Sequence, residues 1–372
     1  MPQNRPYLII AQSGRALAAS AAAAGIATYV IDRFADLDTC SITLSTRQVA
    51  GTESGLDTNQ LMGILADFSK TSLAGVVVGS GLEAHPDILD TLSGRWRLFG
   101  NNTEIVQRCK DPQQFISLLD KLGIPHPETN MGFKRISGNW LLKQMGGAGG
   151  GHIHRYTNGD IPAHYYIQEK LEGRSLSIVF LANGKDANVV GVNETWTFAP
   201  HNNNYRYAGA VTLPDVETEL YASFEEVIRL LTHELKLIGL CGLDVIIDNA
   251  GQFYVLEVNP RPTATFELHE NNNSLFYAHV IACQGELVIL PDQSPGSRGH
   301  EVIYTDSDLY IPQLKWPEWI VDRPHHPGIR IATGEPICTI RAAAISPGGV
   351  RDKLEQHKAV LYKQLGLQKV AA

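Results

Sequence analysis

The chain is short of cysteine, short of basic charge and without a long apolar run, and each shortage removes a class of protein. Its five cysteines (Cys40, Cys109, Cys241, Cys283 and Cys338) are odd in number, widely spaced and form no CxxC pair. That excludes a disulfide scaffold, gives no zinc signature and suits a reducing, cytoplasmic compartment. A net charge of −8 and a pI near 5.9 argue against a nucleic-acid partner, which calls for a basic excess. The Ala-rich run Ala16 to Ala24 is too short and too weakly apolar for a membrane span, and nothing resembles a secretory signal. No GxxxxGK[ST] occurs, and the first turn has one glycine where a dinucleotide fingerprint needs three. Thirteen histidines invite a metal reading. Their close pairs, His152/His154 and His325/His326, lack a third partner at ligand spacing, so they read as ordinary loop residues. There are no internal repeats or heptads.

What is present is an ordinary soluble composition, 44% hydrophobic and 19% charged, over 372 residues, enough for two or three domains. Tyr7 to Ile10, Thr28 to Ile31 and Ala74 to Gly79 read as strands, with a small-residue helix from Leu17 to Ala24 stopped by Gly25. This alternation implies a small parallel sheet covered on both faces. A helix starts after residue 110, with Asp111 as N-cap, Pro112 at its first position and Gly123 as its stop. Trp140 to Phe180 reads as strands around a glycine-rich loop. A second helix runs from about Val216 to Ile238, with Gly239 as its stop. Past Pro291 the chain turns loop-rich, beginning with Ser294 to Gly299, and reads as a smaller C-terminal module.

The strongest signal lies between Gly242 and Arg261. Leu243 to Ile247 and Phe253 to Val258 read as strands joined by a turn over Asp248 to Gln252. A four-residue loop, Asn249 to Gln252, pairs Asp248 with Phe253 and sets Asp244 opposite Glu257. Carboxylates facing across such a pair have Cβ atoms roughly 4.5–5.5 Å apart and repel. Alternation puts Glu257 on the face of Phe253 and Val255, with Asn259 on the same side. Two acids and an amide oxygen are hard ligands suited to magnesium, with manganese as a substitute. The alternative is a hairpin with solvated polar ends, or a register slipped by one residue. Arg261 shares that side if the chain stays extended through Pro260, and a guanidinium there suits phosphoryl transfer. Taken alone, an arginine between two prolines is a solvated loop residue.

The second signal is Trp140-Leu-Leu-Lys-Gln-Met-Gly-Gly-Ala-Gly-Gly-Gly-His-Ile153. Lys143 ends an apolar strand. Gly146, Gly147, Gly149, Gly150 and Gly151 can close backbone N–H groups around phosphate oxygens. The alternative is a flexible hairpin tip beside a surface lysine.

The order Lys110, Lys143 before a glycine loop, Gln168-Glu-Lys-Leu-Glu-Gly173, Asp244 and Leu256-Glu-Val-Asn-Pro-Arg261 resembles the ATP-grasp superfamily, over roughly residues 1 to 290. The Gly173-Arg-Ser-Leu-Ser177 form is similar to the carboxylate–amine ligase branch that includes the pyrrolysine-pathway ligase. The resemblance implies an α/β (α+β grasp) fold: a small N-terminal parallel α/β domain (1–100), a two-lobed ATP-grasp domain (101–292, lid lobe about 125–170) and a small C-terminal module (293–372). It implies ATP and Mg2+ as cofactors. Lys110 and Lys143 would reach the phosphates from two sides. Gln168, Glu169, Lys170 and Leu171 would form the interlobe strand that reads adenine, and Gly146 to Gly151 the phosphate lid. Asp244, Glu257 and Asn259 would hold the metal, with Lys143 and Arg261 as the catalytic cations. Many relatives carry a second acid for the ribose after the hinge glycine. This chain has Ser175, which leaves Glu172 to take that task. The segment Gly334 to Ile340 resembles the closing module of this branch and of biotin carboxylases, as a wall of the substrate site or a structural cap.

The implied activity is an ATP-dependent ligation: a carboxylate is activated as an acyl phosphate and joined to an amine, releasing ADP and phosphate. A bicarbonate-dependent carboxylase on the same fold and a non-catalytic nucleotide-binding protein are the alternatives. The expected partners are a small-molecule carboxylate and amine, amino-acid-like in character, with glutamate and a tyrosine-derived amine as one faint match. Neither nucleic acid nor membrane is expected, and a homodimer is left open. Trp196, Tyr205 and Tyr207 lie between lid and metal hairpin, as acceptor contacts or plain packing. No residue stands out as a general base.

Overall fold

Short apolar strands alternating with helices at the N-terminus build the expected parallel sheet. The computed structural model describes residues 5–52, 55–132, 138–198, 205–271, 274–290 and 295–367. Tyr7–Ala11 (β1), Thr28–Asp32 (β2), Ser45–Gln48 (β3), Gly75–Val78 (β4) and Leu98–Phe99 (β5) pair in the order β3-β2-β1-β4-β5, all parallel. A parallel sheet needs cover on both faces. Arg15–Ala23 (α1) packs its Leu17, Ala18 and Ala21 over one of them, beside Ile9 and Val77.

Thr103–Lys110 (α2) and Pro112–Leu122 (α3) follow. The Asp111 carboxylate accepts from the N–H groups of Gln113 and Gln114, Pro112 starts α3, and Gly123 stops it in the left-handed region at φ +67°. Thr129–Asn130 (β6), Trp140–Gln144 (β7), Ile153–Tyr156 (β8) and Tyr165–Glu169 (β9) then form a separate antiparallel sheet, ordered β8-β7-β9-β6. Residues 170–172 lead directly from β9 into the next sheet.

That sheet has eight strands: Gly173–Asn183 (β10), Ala187–Phe198 (β11), Arg206–Thr212 (β12), Ile238–Asp248 (β13), Phe253–Asn259 (β14), Ser297–Tyr304 (β15), Ile320–Val321 (β16) and Pro336–Ala344 (β17). Their order is β14-β13-β10-β11-β12-β15-β17-β16. One face packs on α3 and on Thr218–Leu235 (α4) around Phe180, Phe224, Leu231 and Val245. The other packs on Leu275–Ala282 (α5) and α1, which ties it to the N-terminal sheet. Pro347–Leu365 (α6) covers the strands from β15 onward. No described helix is long and apolar enough to cross a membrane.

Two expectations need correction. The second long helix ends at Leu235, where Lys236 takes φ +60°. Gly239, the expected stop, instead lies inside β13. The side chain of Asn101 holds both the N–H and the carbonyl of Ile238, which starts the strand early. The loop expected over 294–299 becomes strand β15 from Ser297 onward, paired with β12 and β17; Pro291 and Ser294 lie outside the described residues. Gly299 marks close packing rather than a turn, because a Cβ there would sit 2.6 Å from Val350 and 2.8 Å from the Ala210 carbonyl. The C-terminal strands therefore extend the central sheet.

Phe224 is fully buried between α4 and the sheet. Phe224→Ala should lower unfolding stability by about 3–5 kcal/mol, read from the urea midpoint at unchanged slope.

Candidate functional site

The site begins with a one-residue irregularity. The β13–β14 loop is tighter than expected: Asp248 donates its N–H to Gln252, Ile247 pairs with Phe253, and Gly251 supplies the left-handed residue at φ +86°. This slips the register by one from the expected Asp248–Phe253 pair. Left uncorrected, the slip would set Asp244 against Leu256 and turn Glu257 toward the core. A bulge at Leu256 takes up the residue, so Val245 pairs with Val255 while Asp244 pairs with Glu257. Leu243, Val245, Val255 and Val258 enter the core under α4. Asp244, Glu257 and Asn259 occupy the other face, where the Asn259 amide donates to Asp244 at 2.8 Å and to Glu257 at 3.4 Å. The expected pair is present, but Glu257 does not share a face with Phe253 and Val255. The bulge reverses the alternation.

Burial, and then the Glu257 charge, push the Asp244 carboxyl up, although Ser177 on β10 donates to it. Burial works the same way on Glu257, but Lys110 holds that carboxyl down. The Lys110 ammonium lies 2.9 Å from Glu257 and 2.8 Å from the Asn259 oxygen. Helix α2 thus delivers its last residue directly onto the acids.

Lys143 comes from the other sheet. It is buried on β7 and donates to Gln168 at 2.6 Å, and Gln168 in turn donates to Thr129. Burial pushes its pKa down, partly opposed by Glu257. Glu169 ends β9, and the connector residue Lys170 pairs its ammonium with Glu172. Ser175 lies on β10.

The glycine loop is packed closed. A Cβ on Gly146 would come within 3.0 Å of the Glu83 carbonyl, and one on Gly150 within 1.8 Å of the Tyr205 carbonyl. The Gly149 carbonyl accepts from the Tyr207 N–H at 2.9 Å, and Gly151 completes the loop before His152. Gly147 lies flat against the ring of His152, 2.4 Å from where its Cβ would be. His152 is thus no ordinary loop residue. Burial lowers its pKa to about 4 while Glu257 opposes that shift, and its Nδ1 has no hydrogen-bond partner among the described residues.

Arg261 stays close to the acids, 3.3 Å from the Asn259 oxygen, and its Nε binds Glu83 at 2.5 Å. Glu83 is buried, also accepts from the Gly81 N–H, and is held low by Arg261 and Lys110 against the pull of burial. Sequence reasoning missed Glu83, His152 and Ser177. Glu83 had a legible signal, since it follows the Gly-Ser-Gly turn at the end of a parallel strand, where ligand-contacting residues collect.

The donors fit a hard cation. Two carboxylates and the Asn259 side chain gather on one side, where Glu257 and the Asn259 oxygen already hold a cation, the Lys110 ammonium. No group of three or more His, Cys, Asp or Glu side chains among the described residues is placed to hold a metal ion, so a cation at Asp244 and Glu257 would need the Asn259 amide as a further donor.

Residues 109–265 match the family described as ATP-grasp domain. Solved structures share the fold across nearly the whole chain. The L-amino acid ligase of Bacillus licheniformis is 12% identical over 96% of this chain and 98% of its own, with a TM-score of 0.72. The N5-carboxyaminoimidazole ribonucleotide synthetase of Thermotoga maritima is 15% identical over 96% and 98%, at 0.69. The biotin carboxylase domain of Hydrogenobacter thermophilus 2-oxoglutarate carboxylase, solved with MgADP and bicarbonate, is 12% identical over 94% and 88%, at 0.73.

Glu257→Gln removes a charged donor without changing the shape of the bulge. Its affinity for Mn2+ by titration calorimetry should fall roughly 10-fold or more, with the urea midpoint almost unchanged. Equal Mn2+ binding by variant and parent would take Glu257 out of the cation site.

Proposed function

We propose that this chain, which carries an ATP-grasp domain, is an ATP-dependent ligase that activates a carboxylate as an acyl phosphate and joins it to an amine. The observation that carries this reading is the convergence of Asp244, Glu257 and Asn259 on one face, with Lys110 and Arg261 against them and Lys143 beneath the glycine loop. ATP would lie between the β6–β9 sheet and the central sheet, its adenine along Gln168 to Leu171 and its ribose by Glu172 or Ser175. Bound at Asp244, Glu257 and Asn259, magnesium would supply Lewis-acid neutralisation of the phosphate oxygens. Lys110 would give up its place on the acids and turn to the phosphates. Lys143 would stabilise charge developing on the transferred group, because a buried ammonium acts there with little screening. Arg261, oriented by Glu83, would do so from the opposite side. Closure of Gly146 to Gly151 would keep water from the acyl phosphate. The finer assignment, amino-acid-like substrates with glutamate and a tyrosine-derived amine as the first pair to try, rests on the sequence resemblance.

With ATP, the correct carboxylate and hydroxylamine, the protein should release ADP and yield a hydroxamate. Oxygen label in the carboxylate should appear in the released phosphate, since that oxygen bridges carbon and phosphorus. Label on AMP with pyrophosphate release would replace this mechanism by adenylation, and ADP release supported by bicarbonate alone would turn the reading to a carboxylase. Lys143→Ala should slow hydroxamate formation about 100- to 1000-fold.

A further inference from the structure

The carboxylate–amine reading leaves one task unassigned: at neutral pH the incoming amine is a cation, and it must lose a proton before it can attack. We propose that Tyr207 takes that proton, through a relay formed by His300 and Glu267, and so marks the binding site of a cationic amine acceptor. This inference rests on the ligase reading above.

The relay is continuous. The Tyr207 hydroxyl lies 2.5 Å from His300 Nε2, and His300 Nδ1 lies 3.0 Å from Glu267. Glu267 is in turn gripped by Arg15 at 2.5 and 3.0 Å, and the same guanidinium binds Asp322 at 2.9 Å. A carboxylate on Nδ1 fixes the imidazole with Nε2 free to accept, so the phenol donates to His300 and its oxygen keeps a lone pair for a further proton. The hydrogen-bonded array of Arg15, Glu267 and Asp322 carries one net negative charge. A proton delivered to His300 brings it to neutrality. Burial alone would favour protonated Glu267; Arg15 and His300 hold its pKa well below the usual range, so the carboxylate is ready to face an imidazolium.

The relay also stands in the right place. Asp244, Ser177, Asn193 and Thr212 are successive cross-strand partners, so they share one face of the central sheet. Ala210 is two residues from Thr212 on β12 and pairs with His300, which puts His300 on that face. The Tyr207 N–H binds the Gly149 carbonyl of the glycine loop. The phenol therefore belongs to the seam where that loop meets the sheet carrying the acids, which is where the activated carboxyl end would lie.

The chemistry balances. An ammonium N–H bond breaks and nitrogen keeps the electron pair. The proton passes to the phenol oxygen as the phenol's own proton moves to His300 Nε2. The freed nitrogen forms the bond to the acyl carbon, the carbon–oxygen bond to phosphate breaks with its pair going to phosphate, and the second nitrogen proton leaves with that phosphate.

Hydroxylamine is uncharged at neutral pH and needs no such relay, which gives the test. Each of the twenty amino acids is tried as the acid with ATP. Hydroxylamine is one nucleophile; tyramine, and each amino acid in turn, is the other. In Tyr207→Phe the ratio of amine coupling to hydroxamate formation should fall about 100-fold, the size of a lost general base. His300→Gln should shift the same ratio the same way. Urea midpoints near the parent's check that both variants fold. A ratio unchanged in both variants, or hydroxamate from the parent with no coupling to any cationic amine, overturns the relay. Absence of hydroxamate from the parent with every acid defeats the ligase reading itself, before any variant is compared.

Discussion

Two carboxylates face each other across a strand pair, and the surroundings of Asp244 and Glu257 are arranged to contain that repulsion. The bulge at Leu256 puts both on one face. Lys110 then spans Glu257 and Asn259, and the Asn259 amide donates to both acids. Without a nearby cation, two like charges under partial burial would force one carboxyl to keep its proton, and Asp244 is already pushed that way. Under the proposed function the same tension would favour an exchange of cations, a divalent ion taking the place of Lys110 because it offers more charge in less volume.

Around this pair the N-terminal sheet is tied to the central sheet by charge as well as by the apolar packing of α1 and α5. Arg261 on the hairpin side reaches Glu83 at the end of the N-terminal sheet, and Arg15 on α1 reaches Glu267 and Asp322. These ion pairs are largely removed from water, so losing one partner would strand the other and cost far more than a surface pair. Each joins an N-terminal element to a segment later than residue 250. The parallel sheet is thereby a wall of the site, held in register with the acids. The glycine loop packs near Glu83 and near Tyr205, leaving no room for a side chain at Gly150 and only a tight fit at Gly146.

Much of this was legible because it depends on local chemistry. Asp111, Pro112 and Gly123 dictate the limits of α3 through capping and backbone geometry alone. The glycine loop, the strand that carries Lys143 and ends one residue later than expected at Gln144, and the run from Glu257 through Asn259 to Arg261 were likewise visible in residue type and spacing, while their roles belong to the proposed function. The Asp244–Glu257 pair was also found, although by a count in which two differences cancel. The loop is one residue shorter than expected, and the bulge restores the residue lost. Bulges leave little trace in a pattern of apolar and polar residues, so the face of Glu257 could not be read from alternation.

Sequence by itself determined the strand–helix alternation, the hard-ligand chemistry of the hairpin and the glycine loop, because propensity, capping and ligand softness are properties of residues. Only the tertiary structure decided what those groups meet. Glu83 is 178 positions from Arg261, and Tyr207 is 93 from His300. No periodicity links residues so far apart. Their contacts come from sheet order, since β15 pairs with β12 and the N-terminal sheet packs against the central one through α1 and α5. That order is set by how buried faces fit together, a property of the whole chain rather than of any segment.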